Sequence, residues 1–103
     1  MKPPAFIQEP APTNMRSQIL DTAKSIVSGA RETTYGGPES SFLSISRLWS
    51  AYLEIPISPS DVAILMALMK IARLQSSQGT HFDSWVDLAG YAACGAECGV
   101  SQQ

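Results

Sequence analysis

The sequence predicts an all-α protein, a bundle of four helices. Two observations lead to this reading. Apolar side chains recur every three or four residues in separate segments, the period of a helix with one buried face. Between those segments stand residues that start and stop helices, while no stretch of any length alternates apolar and polar residues as a half-buried strand does.

The first helix is expected from Met15 to about Ser28. Thr13 or Asn14 can cap its N-terminus and Gly29 can end it. Ile19, Ala23, Ile26 and Val27 form its apolar stripe, with Arg16, Gln18, Asp21 and Lys24 toward water. The segment from Arg31 to Glu39 is a turn, because Gly36-Gly37-Pro38 cannot continue a helix. Tyr35 sits in this turn, where an aromatic ring either lids a core or lines a ligand pocket.

The second helix starts near Pro38 or Glu39 and reaches about Leu53, with Phe42, Ile45, Leu48, Trp49 and Tyr52 as its core face. Glu54 to Ser58 is an extended connection, since Ile55 precedes Pro56. The third helix has the clearest start in the chain: Ser58 as N-cap, Pro59 in the first turn and Asp61 closing a capping box. Val62 to Met69 is apolar almost all round, so this helix is expected to be buried on most sides. A polar loop, Gln75 to Thr80, leads to a fourth helix from about Phe82 to Glu97. Gly90, Ala92, Ala93, Gly95 and Ala96 leave that helix a smooth surface for close approach by another helix, from this chain or a second copy.

A chain of 103 residues makes one domain with a modest core. Its organisation reads as a Pro-rich arm over residues 1–13, a helical domain over 14–98 and a tail over 99–103. A net charge of −2 gives no reason to expect nonspecific binding to nucleic acid or membranes. The N-terminus lacks the apolar run of a signal peptide, and the run from Val62 to Met69 is too short to span a bilayer, so a cytoplasmic protein is expected. Cys94 and Cys98 lie one helical turn apart and would staple nothing, which suits thiols in a reducing compartment.

One constellation carries chemistry. Lys70 and Arg73 share a face of the third helix, and Asp83 and Asp87 share a face of the fourth. The short connection makes these helices antiparallel neighbours. Hard cations such as Mg²⁺ take carboxylate oxygens and keep several waters, and a lysine with an arginine neutralises phosphate charge. The same four residues equally suit plain salt bridges or helix-dipole partners. Asp87 stands among Trp85, Val86, Leu88 and Ala89, so it is expected to be partly buried and to need a partner. His81 precedes Asp83 at the mouth of this site, as a ligand contact, a proton carrier or plain polar surface.

Four segments together resemble a known family: R-x-x-T-Y-G-G-P-E at Arg31, L-W-S-A-Y-L at Leu48, D-V-A-x-x-M-x-x-x-K-I-A-R-L at Asp61 and D-S-W-V-D-L-A-G-Y-A-A at Asp83. Over roughly Ile19 to Glu97 the chain resembles small phage and prophage proteins grouped as MazG-like or nucleotide-modification-associated, within the all-α nucleoside triphosphate pyrophosphohydrolases. The resemblance implies an oligomeric helical bundle that binds Mg²⁺ (or Mn²⁺) and cleaves a nucleoside triphosphate to the monophosphate and pyrophosphate. It implies Asp83 and Asp87 as catalytic metal ligands, Lys70 and Arg73 as phosphate contacts, and Tyr35 and Tyr91 against base or sugar. The family's E-x-x-E and E-x-x-D pairs are absent here, and Asp83 and Asp87 stand roughly where the second pair would be. A nucleotide binder that does not cleave and a structural or regulatory phage protein are the alternatives.

Self-association is expected on separate grounds. Three short neighbours cover an all-round apolar helix poorly, and Phe42, Trp49 and Trp85 add surface to bury. A homodimer or larger assembly would cover it and could bring Glu39 or Asp61 of a second copy to the site.

Overall fold

A computed structural model describes residues 14–29 and 37–101, apart from the side chains at 38, 39, 100 and 101. Among these residues there are four helices and no strand: α1 (Met15–Ser28), α2 (Pro38–Leu53), α3 (Pro59–Ser76) and α4 (Phe82–Ser101). The N-terminal arm, Tyr35 and the Glu39 side chain lie outside the described residues.

Local chemistry sets the ends of these helices. The Asn14 side chain accepts the Ser17 N–H at 2.8 Å and starts α1. Pro38 opens α2, and its end is fixed by Glu54, whose N–H bonds the Ser50 carbonyl at 2.8 Å from a left-handed backbone (φ 59°). Ser50 also reaches back to Ile57, accepting its N–H at 2.8 Å and donating to its carbonyl at 3.2 Å, so the connection is tied to α2 at both backbone groups. The capping box at Ser58 forms as expected. Ser58 Oγ accepts the Asp61 N–H and the Asp61 carboxylate accepts the Ser58 N–H, each at 3.0 Å.

Two helices run further than expected. α3 continues through Ser76, into the segment expected as loop, so Lys70 sits well inside it. α4 continues to Ser101, past Glu97, because the small residues there pack against α3.

α4 is the hub of the fold, touching each of the other three helices, and its contact with α3 is the most extensive. Matching positions descend along one helix as they rise along the other: Ser60 lies against Gly95 and Gly99, Ala63 against Gly95, and Lys70 against Asp87. The pair is therefore antiparallel. Its closeness comes from Gly95, where a methyl carbon would lie only 2.7 Å from Ala63 Cβ. The glycines of α4 thus serve helices of this chain, Gly95 and Gly99 meeting α3 and Gly90 meeting Val27 of α1, while Ala92, Ala93 and Ala96 of the expected smooth surface are exposed. The core gathers Phe42, Val62, Ala63 and Cys98, with Ile45, Trp49, Ile57, Met66, Tyr91 and Cys94 around them.

Three burial expectations are corrected. In α1, Ala23 of the expected stripe is buried and Ile19 and Val27 are half-buried, but Ile26 is exposed. In α2, Phe42 is buried and Ile45 and Trp49 pack on the core, but Leu48 and Tyr52 are exposed, and Ser46 is buried in their place with its hydroxyl on the Leu43 carbonyl. In α3, only Pro59, Val62, Ala63 and Leu74 are buried, while Ile64, Leu65, Leu68, Met69 and Ile71 face water. The reason is the placement of α1, which packs against α4 and leaves the outer side of α3 uncovered.

Candidate functional site

Among the described residues one cross-helix ion pair joins the predicted acidic and basic helices. Lys70 Nζ lies 2.8 Å from Asp87 Oδ2, with the lysine side chain 13% exposed and the aspartate 36%. Lys70 shares the inner side of α3 with Ala63 and Met66, so its stem is covered by the helix pair and its ammonium emerges at Asp87. The expectation that Asp87 is partly buried and partnered is met.

The other predicted residues are placed less closely. Arg73 in the last turn of α3 and Asp83 in the first turn of α4 are exposed, and neither forms an ion pair among the described residues. Each sits where the helix dipole favours its charge. Tyr91 is half-buried and its ring centroid lies 6.5 Å from that of Phe42, so one side of it belongs to the core.

His81 has a structural task that its sequence position hides. Its ring caps the start of α4: Ser84 N–H donates to Nδ1 at 3.2 Å, and Ser84 Oγ lies 2.6 Å from the same nitrogen. With the backbone N–H aimed at it, Nδ1 is the accepting nitrogen. Ser84 is fully buried, so it is a partner for the histidine and not a surface nucleophile. The i, i+3 spacing of His81 and Ser84 at a helix start is the signal that could have revealed it. Trp85, half in water, donates Nε1–H to the Gly79 carbonyl at 2.9 Å and holds the α3–α4 turn against α4. That turn carries two left-handed residues, Gln78 (φ 56°) and Gly79 (φ 80°).

Among the described residues no group of three or more His, Cys, Asp or Glu could hold a metal ion. Asp83 and Asp87, one turn apart, are two carboxylates, and one Asp87 oxygen is engaged by Lys70. An open depression lined by Asp21, Lys24, Ser25, Ser28 and Gly29 shares no residue with this cluster. No helix among the described residues is long and apolar enough to cross a membrane.

The chain is 49% identical over 80 residues to the Gene 55 protein of Mycobacterium phage D29, covering 78% of this chain and 52% of that protein. It is 44% identical over 75 residues to the Gene 55 protein of Mycobacterium phage L5, covering 72% of this chain and 47% of that one. The chain therefore spans about half the length of these relatives. No solved structure matches it. The model of a family described as "Domain of unknown function (DUF6378)" matches residues 18–99, from the α1 stripe through the small-residue end of α4, and the chain belongs to that family.

Proposed function

We propose that this protein is a MazG-like nucleotide-processing protein of phage, acting with Mg²⁺ on a nucleoside triphosphate in the host cytoplasm. The observation that supports this reading is the Lys70–Asp87 pair, which puts a basic and an acidic group from two antiparallel helices within 2.8 Å of each other. The motif resemblance over Ile19 to Glu97 supplies the substrate class.

Magnesium is ordinarily held by one or two carboxylates together with waters and substrate phosphates, not by a full protein cage. Asp83 and Asp87, spaced one turn apart on α4, fit that manner of binding. When bound, the ion would neutralise phosphate charge and activate a water for attack. The chain's own residues do the rest. An arriving phosphate draws the Lys70 ammonium from Asp87, freeing the carboxylate oxygen it engages. Arg73, exposed one turn further along α3, adds a planar fork of donors to the same phosphates. His81 stays bound to Ser84 through Nδ1 and presents Nε2 to the ligand. Tyr35 and Tyr91 are the proposed contacts to base or sugar.

A second reading is favoured by the completeness of the pair. Because Lys70 is already neutralised by Asp87, the pair needs no ligand to satisfy its charges, which suits a protein that binds nucleotide without cleaving it or uses the pair only as a tie between helices. One experiment separates the readings: a panel of ribo- and deoxyribonucleotides with Mg²⁺ or Mn²⁺, followed by melting temperature and by released pyrophosphate. Stabilisation with pyrophosphate release is expected. Stabilisation without product establishes the binder. The absence of any nucleotide-dependent shift or product overturns a nucleotide function.

A further inference from the structure

The outer side of α3 is an apolar face with nothing from the described residues over it. Ile64 is 58% exposed, Leu68 53% and Ile71 45%, with Leu65 and Met69 beside them. Ile64, Leu68 and Ile71 follow i, i+4, i+7, and the five side chains span about 160° of the helix at roughly 100° per residue. No charged residue lies between Asp61 and Lys70, and Lys70 points to the opposite side, where it meets Asp87.

The rest of the chain is a poor source of cover. Residues 1–13 carry Met1, Phe6 and Ile7 as their only large apolar residues among four prolines, and residues 30–36 carry only Tyr35. The face is instead suited to a copy of itself. Asp61 stands on the stripe at its N-terminal end, and Arg73 flanks it at the C-terminal end, exposed and without an ion pair among the described residues. Two α3 helices packed antiparallel bring each Asp61 toward the partner's C-terminal end, where its Arg73 lies, and oppose the two helix dipoles. A parallel pair would set like charges together. The twofold axis of the antiparallel pair passes near Leu68, midway along the stripe, so Leu68 meets its own copy.

The area agrees. Five side chains about half in water leave on the order of 100 Å² each, or about 500 Å² of apolar surface per copy before Asp61, Ala72 and Arg73 at its edges are counted. That is the larger part of the roughly 800 Å² per partner of a standard specific interface. A face with a heptad-like stripe, no internal charge and opposite charges at its ends suits helix-on-helix packing.

We propose that two copies of this chain associate through antiparallel packing of α3 on α3, centred on Leu68. The proposal does not rest on the nucleotide reading, with which it shares only Arg73.

Sedimentation or light scattering of the whole chain tests it. The wild type is expected at twice the 11.1 kDa chain mass at tens of micromolar. Leu68→Glu, which places two carboxylates on the axis, is expected to raise the dissociation constant at least about 30-fold, with the helical circular dichroism retained. A wild-type monomer overturns the proposal and leaves the face to a different protein. So does an assembly that a folded Leu68→Glu variant leaves intact. Leu68→Cys keeps the test open if the glutamate variant fails to fold. Under mild oxidation it should give a disulfide-linked dimer more readily than either the wild type or Met15→Cys, a control on exposed α1. Equal linking in all three overturns the arrangement.

Discussion

Replacing Gly95 with alanine tests the closest contact in the fold. The added methyl would lie 2.7 Å from Ala63 Cβ, well inside the roughly 3.5–4.0 Å at which two carbons attract. Neither partner can rotate away, because both are Cβ atoms fixed to helical backbone, so α3 and α4 must part by about 1 Å. Overpacking of this kind costs about 1–3 kcal/mol. Alanine in a helix interior returns about 1 kcal/mol relative to glycine. The net expectation is a loss of about 0–2 kcal/mol.

Gly90→Ala is the matched control on the same helix. Its methyl would meet only the Val27 Cγ1 at 3.4 Å, an ordinary contact with a side-chain atom. It should keep most of the propensity gain and stabilise by up to about 1 kcal/mol. The two variants should therefore differ by about 1–3 kcal/mol, or at least roughly 4 °C in melting temperature for a domain of this size. Far-UV circular dichroism melts at one fixed protein concentration give the readout, since self-association would make the melting temperature depend on concentration. Ala63→Gly placed in the Gly95→Ala background removes the clash and should recover part of the loss. If Gly95→Ala melts at or above Gly90→Ala, the close α3–α4 approach is wrong.

Other substitutions probe the site and the helix ends. Asp87→Asn should abolish pyrophosphate release while costing only about 1 kcal/mol of stability, because the pair is partly solvated; unchanged turnover would remove Asp87 from the site. Lys70→Ala and Arg73→Ala should each weaken nucleotide binding more than they lower the melting temperature, and unaltered nucleotide affinity in both would contradict their phosphate role. Ser58→Ala, which removes one half of the capping box, should cost about 1 kcal/mol in urea denaturation; a change within error would show that the cap contributes little. Gly79→Ala should cost about 1–2 kcal/mol, because its backbone is left-handed at φ 80°, although a Cβ there meets no atom within 4 Å. A stabilised Gly79→Ala would show that this turn adopts another conformation.

The sequence determined the four helices and most of their ends. Asn14, Ser58 and Asp61 act through bonds to residues three positions away, and Pro38 acts through its own fixed φ, all of which a linear reading can see. It also determined that Asp87 would need a partner, since a carboxylate among apolar neighbours must find one. Burial was the part that only tertiary packing decided. A stripe of period 3.6 marks a face as apolar but does not say whether a neighbour arrives to cover it, so Leu48 and Tyr52 of α2 and the outer residues of α3 read as core and stand in water. The side on which α1 docks depends on which pair of surfaces fits more closely. Gly90 admits Val27 to α4, and Gly95 admits Ala63. The pairing of Lys70 with Asp87 in preference to Asp83 follows from that closeness and from the helix register it sets. That is a contact between residues far apart in the chain, and only three-dimensional packing selects it, whereas the bond of His81 to Ser84 is local and its spacing stands in the sequence.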